Sequence, residues 1–100
     1  MGCNSSGLLS ASNTDATLIH KGRCVLYSIK ASCTGGNATI LKFYDDGAGA
    51  ANNEIARIHL GGSGVVDNLD LDFHAAICAN GLTYEQTVAN TNVTFSVQFA

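Results

Sequence analysis

The side chains with the most potential for chemistry lie together in one stretch, DNLDLDFH, at residues 67–74. In a strand, Asp70, Asp72 and His74 would share one face, because successive side chains point to opposite sides. Carboxylate oxygens on one face can bind a divalent cation. The same spacing also arises whenever one face of a half-buried strand meets water. We adopt this second interpretation and predict no metal site.

A second pair of acids, in Asp45-Asp46-Gly47, is similar to the start of a calcium-binding loop. Later ligand positions of such a loop would fall on Gly49 and Ala51, whose side chains carry no oxygen. A β-turn therefore explains this stretch better than a calcium site.

The sequence contains no pattern typical of a catalytic centre. Its three histidines, His20, His59 and His74, lie in different segments without H-x-x-H spacing. No serine stands in G-x-S-x-G, and no glycine run carries the Lys and Ser/Thr of a phosphate loop. We predict that the chain is not an enzyme and has no catalytic residue and no cofactor.

The four cysteines are Cys3, Cys24, Cys33 and Cys78, and none of them forms a C-x-x-C pair. This spacing does not indicate a zinc ribbon or a thiol redox motif. Free cysteine packs as a small hydrophobic residue, so we expect buried or half-buried thiols. A disulfide between Cys24 and Cys33 stays open, because spacing does not decide pairing.

The N-terminal stretch MGCNSS matches the myristoylation pattern M-G-x-x-x-[ST] through Gly2 and Ser6. Cys3 stands where a second acyl chain is often added. Stable anchoring needs a second signal such as a basic patch, and the five basic residues of this chain are scattered. No stretch approaches the ~20 apolar residues of a membrane span. We therefore interpret the match as accidental and predict no membrane partner.

The elements that position these side chains are predicted by period-two alternation, which is typical of half-buried strands. It is clearest in NVTFSVQF, where the apolar residues Val93, Phe95, Val97 and Phe99 share one face. RCVLYSIKASC alternates likewise, with Val25, Tyr27, Ile29 and Ala31 on one face. Further strands are predicted in ATILKFYD, EIARIHL, DNLDLDFH and LTYEQTV, and at residues 17–20.

Turn sequences rich in Gly and Asn separate these runs, as at Gly35-Gly36-Asn37 and Asn80-Gly81. About 7–8 short strands separated in this way predict an all-β fold. The predicted architecture is a two-sheet antiparallel β-sandwich, either jelly-roll or immunoglobulin-like. Because residues 1–15 lack alternation, we predict an N-terminal arm there and a single β-sandwich domain at residues 16–100.

The composition predicts a surface with little charge. Only 13% of the residues are Asp, Glu, Lys or Arg, against about 25% in ordinary soluble domains. The net charge is −3, and no cluster of basic residues is present to bind nucleic acid. A weakly charged surface keeps a free monomer poorly soluble, and small domains often complete their burial by association. These features favour a protein that packs against other proteins, including copies of itself.

Three stretches carry a resemblance to a known class of proteins: RCVLYSIKAS, TILKFYDDGAGAANNEIARIHL and LDLDFHAAICANGLTYEQTVANTNVTFSVQF. Through them, residues 7–100 resemble small β-sandwich virion structural proteins of tailed bacteriophages. The resemblance implies a capsid decoration (cement) protein that binds the outer surface of the assembled shell and stabilises it. It also implies a homotrimer, the major capsid protein or other virion proteins as partners, and a place in the virion, assembled in the host cytoplasm.

Two alternative functions stay open at this point. One is a tail, neck or fibre component of the virion, which copy number would distinguish from a decoration protein. The other is a carbohydrate-binding module, which would need aromatic rings that stack on sugars. Tyr44 and Tyr84 are the candidates for that role.

The N-terminal arm is the predicted contact with a partner, because a few buried apolar groups usually fix an interface. Leu8 and Leu9 are the expected anchors in an otherwise small and polar segment. The predicted interface residues are Ser5, Ser6, Gly7, Leu8, Leu9, Ser10, Ala11 and Ser12.

Overall fold

The computed structural model describes residues 4–7, 9–10, 14–61 and 67–100, and all regular structure in these ranges is β-strand. The strands are β1 (Asn4–Ser5), β2 (Leu9–Ser10), β3 (Thr17–Lys21), β4 (Cys24–Cys33), β5 (Thr39–Tyr44), β6 (Glu54–Leu60), β7 (Asp67–Cys78), β8 (Gly81–Gln86) and β9 (Val93–Phe99). They form two antiparallel sheets that enclose one core. The predicted all-β sandwich is confirmed.

The strand order identifies the sandwich as a jelly roll. The first sheet has the order β1–β9–β4–β7, with β2 also paired to β9, and the second has the order β3–β8–β5–β6. β1 and β2 follow one another along β9, so they act as one interrupted strand. Counted in this way, the described strands pair first with last, second with seventh, third with sixth and fourth with fifth. This nesting is that of a jelly roll and not of an immunoglobulin domain.

The core lies where the apolar faces of the two sheets meet. In β9, every second residue from Val93 to Phe99 is buried and the residues between them are half-buried, as the alternation predicts. The Phe95 ring packs edge-on against Phe43 and Tyr84, with centroid distances of 5.6 and 4.7 Å. Burial of one large apolar side chain contributes ~1.5–3 kcal/mol, so this cluster is a principal source of stability.

A β-bulge at Tyr27 reverses the alternation within β4. Beyond the bulge Ile29 is buried, as predicted. Before the bulge, Cys24 and Leu26 are buried, while Val25 is only half-buried. A bulge adds one residue to one strand and so exchanges the faces on either side of it. The prediction that Val25 and Tyr27 share the core face is therefore wrong.

The described part of the N-terminal arm belongs to the first sheet. Ser5 pairs with Gln98 and Leu9 pairs with Phe95. Between them, the Ser6 N–H donates to the Val97 carbonyl at 2.9 Å, and the Ser6 Oγ accepts from the Val97 N–H at 2.8 Å. The arm is therefore held by β9 of its own chain, and the sandwich begins before residue 16.

Candidate protein-binding surface

The outer face of the first sheet is a grid of small polar side chains, which we call the polar grid. Its three rows cross β9, β4 and β7, and they are Gln98–Ser28–Asp72, Ser96–Lys30–Asp70 and Thr94–Ser32–Asn68. These residues lie on the outer face because they alternate with buried or half-buried core residues, such as Ile29 and Val97. The sequence predicts this placement for Asp70 and Asp72.

Hydrogen bonds order the centre of the polar grid. The Ser28 Oγ donates to the Gln98 Oε1 at 2.7 Å, and the Gln98 Nε2 donates to the Ser96 Oγ at 3.2 Å. Lys30 lies directly opposite Asp70, so opposite charges face each other across the two strands. The polar grid therefore carries one pair of opposite charges, Lys30 and Asp70, and one further exposed carboxylate, Asp72.

The depression at one end of the polar grid is open and shallow. Its volume is about 320 Å³, and its outward-facing lining comes from Lys30, Ser32, Asn68, Asp70, Thr94 and Ser96. Such an open shape suits a protruding side chain or loop of another protein better than a small molecule, which usually binds in a pocket that encloses it.

The β7 strand forms the free edge of the same sheet in the described part of the chain. It is 12 residues long, and its outer side presents unpaired main-chain groups. On the outer face its exposed apolar side chain is Ile77, at 62%, whereas Leu69, at 39%, lies opposite Ala31 on the core-facing side of the same edge strand. A long edge strand with exposed apolar side chains is a surface to which another chain can bind. Since Asp70 and Asp72 belong to both features, we call the polar grid and this edge together the β7 surface.

A second bulge divides the β7 edge at residues 73–75, where three residues lie opposite the single residue Tyr27. His74 and Ala75 have positive φ angles of 49° and 63°. Asp72 stabilises this backbone, because its Oδ1 accepts from the His74 N–H at 2.9 Å. The predicted common face of Asp70, Asp72 and His74 therefore ends at Asp72. A bulge of this kind limits uncontrolled strand pairing along an edge.

Asp45 joins two loops at one end of the sandwich. Its Oδ1 accepts from the N–H groups of Asn80 at 2.8 Å and Gly81 at 3.2 Å, and its Oδ2 accepts from the Ala79 N–H at 3.0 Å. These three donors form the turn between β7 and β8. Gly47 lies against the same turn, and a Cβ on it would clash with the Asn80 carbonyl oxygen. Asp45 therefore has a structural role at this turn.

Asp46 organises its own loop through the neighbouring main chain. Its Oδ1 accepts from the N–H groups of Ala48 at 2.7 Å and Ala50 at 3.1 Å, and these hydrogen bonds lower the pKa of the Asp46 carboxyl group. The Asp46 carbonyl oxygen accepts from the Thr83 hydroxyl at 2.9 Å. Backbone donors thus occupy both carboxylates of this stretch, which supports the interpretation of a turn over that of a calcium loop.

Asn90 joins the loops at the opposite end of the sandwich. Its side chain is 4% exposed, and its Nδ2 donates to the carbonyl oxygens of Gly35 at 2.9 Å and Asn37 at 2.7 Å. Its Oδ1 accepts from the Asn92 N–H at 2.9 Å. Sequence reasoning missed this residue, because in the stretch VANTNV it is one of several polar loop residues without a distinguishing pattern.

The outer face of the second sheet carries charges of both signs. Glu54 accepts two hydrogen bonds from Arg57, at 2.8 and 3.0 Å, and lies 3.8 Å from the Lys42 Nζ. Arg57 lowers the pKa of Glu54 through these hydrogen bonds. Beside this group, the Tyr44 hydroxyl donates to the Glu85 Oε1 at 2.9 Å. Positive and negative side chains are therefore balanced on this face.

Tyr44 is expected to make the stability of the protein fall at alkaline pH. Its hydroxyl donates to Glu85 only while protonated, and burial, followed by Glu85, raises its pKa from 10.0 to about 12. Its contribution is therefore complete below pH 10 and is lost as the pH rises through about 12. The Tyr44→Phe variant should be less stable by about 1 kcal/mol at neutral pH and lose this difference near pH 12.

Absorbance titration checks this prediction. The unmodified chain should show a tyrosine ionisation step near pH 12 that the Tyr44→Phe variant lacks. Absence of this step from the unmodified chain, or its persistence in the variant, would contradict the prediction.

Those predicted interface residues of the arm that the structure describes lie beside β9, at the edge of the first sheet opposite β7. Ser5, Ser6, Gly7, Leu9 and Ser10 are described, whereas Leu8, Ala11 and Ser12 lie outside the described residues. Leu9 is half-buried and packs against the core of its own chain. It therefore acts as an anchor within the subunit, and its role towards a partner stays a prediction.

The described cysteines, Cys24, Cys33 and Cys78, are buried and unbridged. Cys24 and Cys33 stand at opposite ends of β4, roughly 30 Å apart at about 3.3 Å per residue, so the alternative of a disulfide between them is wrong. Cys24 lies instead directly opposite Cys78. Burial raises the pKa of both of these thiols, that of Cys78 to about 12.

Within the described ranges, no group of three or more His, Cys, Asp or Glu side chains is placed to hold a metal ion. No helix in the same ranges is long and apolar enough to cross a membrane. No protein-family model and no curated protein matches the chain. The geometry of the surface is therefore the basis for the function proposed below.

Ile77 is the residue of the β7 surface that sequence reasoning missed. It lies in the run FHAAIC, where the alternation predicted for the preceding stretch stops. That loss of alternation is the available signal, since it marks the bulge that places Ile77 on the outer side. Without knowledge of the strand partner, however, an apolar residue in such a run is assigned to the core.

Proposed function

We propose that the chain is a virion structural protein of the capsid decoration type, which binds the outer surface of an assembled shell and stabilises it. The observation that supports this most is the β7 surface, which combines a polar grid of mostly small uncharged side chains, a free strand edge in the described part of the sheet and the exposed side chain of Ile77. Jelly rolls occur in viral capsid proteins and in lectins. Because a fold alone does not specify a function, the resemblance of residues 7–100 to virion proteins is the second support.

The proposed mechanism is the burial of additional protein surface at the junctions between shell subunits. A standard interface buries about 800 Å² on each partner, and a symmetric shell repeats each junction many times. Each bound copy then stabilises the shell by a small amount, and these contributions add up over the whole particle. Most side chains of the polar grid are uncharged, and Lys30 lies opposite Asp70, which limits the desolvation cost of each contact. The resemblance adds the proposal that the chain binds as a homotrimer to the major capsid protein.

The two alternatives are a tail, neck or fibre component and a carbohydrate-binding module. The first uses the same kind of surface and differs in copy number. For the second, the candidate rings are poorly placed, because Tyr44 is 5% exposed and Tyr84 is half-buried against Phe95. We therefore favour a protein partner.

A particle-stability experiment tests the decoration role. Particles assembled without this chain should open at a lower temperature than complete particles, and purified chain added back should restore the higher temperature. The Ile77→Asp variant should fail to restore it, because a carboxylate would replace the most exposed large apolar side chain of the β7 surface.

Ile55→Asp is the matched control. Ile55 is also exposed, at 39%, and lies on β6, the edge strand of the opposite sheet. This variant should restore the opening temperature as the unmodified chain does. Equal opening temperatures with and without the chain would contradict the decoration role, and equal failure of both variants would contradict the assignment of the β7 surface.

A further inference from the structure

The Cys24 and Cys78 side chains form a buried pair across two neighbouring strands. The residues are directly opposite each other in the antiparallel pairing of β4 and β7. They are 2% and 1% exposed, and their thiols are close enough for a side-chain hydrogen bond between them. Nothing in the proposed decoration role uses this pair.

The position of the pair fits the geometry of a disulfide bond. Opposite residues of an antiparallel pair have Cα atoms about 4.5–5.5 Å apart, and disulfides are found at Cα separations of about 4.4–6.8 Å. Cross-strand Cβ atoms are about 4.5–5.5 Å apart, against about 3.5–4.5 Å in a disulfide. Closing the bond therefore requires an approach of roughly 1 Å, which an edge strand such as β7 can make.

We propose that Cys24 and Cys78 are a dithiol that a small-molecule disulfide, such as oxidised glutathione, converts into a disulfide bond joining β4 to β7. In the first step, one cysteine thiolate attacks the oxidant, forms a mixed disulfide and releases one small-molecule thiolate. In the second step, the other cysteine attacks the protein sulfur of the mixed disulfide and releases the second thiolate. Two cysteine thiols are oxidised and one small-molecule disulfide is reduced to two thiols.

The surroundings of the pair make this reaction slow in the folded protein. Burial keeps both thiols protonated, and the charge of Asp45 acts in the same direction. The attacking species is the thiolate, so the rate should rise with pH. Access comes from the end of β7, because the turn at Ala79 and Asn80 is exposed and an edge strand can open locally. The reduced form should therefore persist in a reducing cell, and the bond should form in oxidising surroundings.

The bond would connect a central strand to the edge strand that carries the β7 surface. It closes a loop between residues 24 and 78, and a loop of this length strongly restricts the unfolded chain. For a domain of about 100 residues, oxidation should raise the melting temperature by roughly 10–20 °C. The oxidised chain would thus hold β7 in place more firmly than the reduced chain.

Incubation of the folded full-length chain with oxidised glutathione at mildly alkaline pH tests the proposal. Trypsin then separates the cysteines, because cleavage after Lys21, Arg23, Lys30, Lys42 and Arg57 places Cys3, Cys24, Cys33 and Cys78 on different peptides. We expect the peptide of residues 24–30 linked to that of residues 58–100, with the loss of two hydrogens. We also expect a higher melting temperature that dithiothreitol returns to its original value.

Three serine variants serve as controls. Cys24→Ser and Cys78→Ser should show neither the linked peptide nor any rise in melting temperature on oxidation. Cys33→Ser should show both, since Cys33 lies at the far end of β4. Each variant is compared with its own reduced form, so that the effect of the substitution on folding does not enter the result.

The proposal is overturned if the folded chain keeps both thiols under conditions in which the urea-unfolded chain becomes linked. It is also overturned if the linked peptides include Cys33 or Cys3 in place of the proposed pair, or if oxidation leaves the melting temperature unchanged or lowers it.

Discussion

Replacing Asp45 with alanine is expected to lower the free energy of unfolding by about 3 kcal/mol. The Asp45 carboxylate accepts three main-chain hydrogen bonds from the turn between β7 and β8, from Ala79, Asn80 and Gly81. Hydrogen bonds to a charged group contribute about 1.5–3 kcal/mol each, and part of this is recovered here because water reaches the exposed donors. Urea unfolding at neutral pH measures the difference.

Two further variants show whether the loss of these three hydrogen bonds causes the lower free energy of unfolding. Asp45→Asn keeps one acceptor oxygen and should lose about half as much stability. Asp70→Ala removes an exposed carboxylate of the polar grid and should change stability by less than about 0.5 kcal/mol. An Asp45→Ala variant as stable as Asp70→Ala would contradict the structural role of this residue.

Replacing Asn90 with leucine is expected to cost about 3–4 kcal/mol, the largest effect of a single substitution considered for this protein. Leucine has a similar size but leaves the carbonyl oxygen of Asn37 and the N–H of Asn92 without their partner, while the Gly35 carbonyl oxygen keeps only the Cys33 thiol as a donor. Each buried polar group left unpaired costs about 1–3 kcal/mol. Thermal unfolding should show a correspondingly large fall in melting temperature.

The Asn90→Asp variant gives a pH-dependent test of the same hydrogen bonds around residue 90. A buried carboxylate would face two carbonyl oxygens, so its pKa in the folded state should be raised. The variant should then be very unstable at neutral pH and regain stability as the pH falls and the carboxyl group becomes a donor. Asn92→Ala, in the same loop but exposed, is the control and should change stability little. An Asn90→Asp variant with the same stability at acidic as at neutral pH would contradict the structural role assigned to Asn90.

The alternation of the sequence was sufficient to predict the class of fold. In β9 the buried side chains are those that share the predicted apolar face, such as Phe95 and Val97. This works because one buried face imposes a period of two on the sequence wherever a strand is regular. The order of the strands was not predictable, because the pairing of β4 with both β7 and β9 depends on contacts between residues far apart in the chain.

The two bulges mark where the sequence pattern is insufficient. Tyr27 is aromatic and fits the alternation of its neighbours, yet it is the extra residue that exchanges the faces of β4. Residues 73–75 then lie opposite it in β7, and this places Ile77 on the outer side. Local propensity does not distinguish these residues from those of a regular strand, since bulges are set by the register with the neighbouring strand.

The candidate surface was predictable only in part. The placement of Asp70 and Asp72 on an outer face follows from alternation, and the low charge of the whole chain follows from its composition. The pairing of opposite charges on the second sheet, around Glu54 and Arg57, required the register of β5 and β6. The described arm residues pair with β9, beside the grid residues Thr94 and Gln98, whereas Ile77 lies on the edge strand β7. Variants of Ile77 therefore test the β7 edge separately from the arm.

The central claim is that this chain covers a shell through many repeated contacts of its β7 surface. Counting the copies of the chain in purified particles, by quantitative mass spectrometry against the major shell subunit, tests it most directly. The account predicts on the order of hundreds of copies per particle, since every equivalent junction of a symmetric shell would be occupied. A count of about a dozen or fewer would indicate a tail, neck or fibre position, and a complete absence from particles would contradict the proposed function.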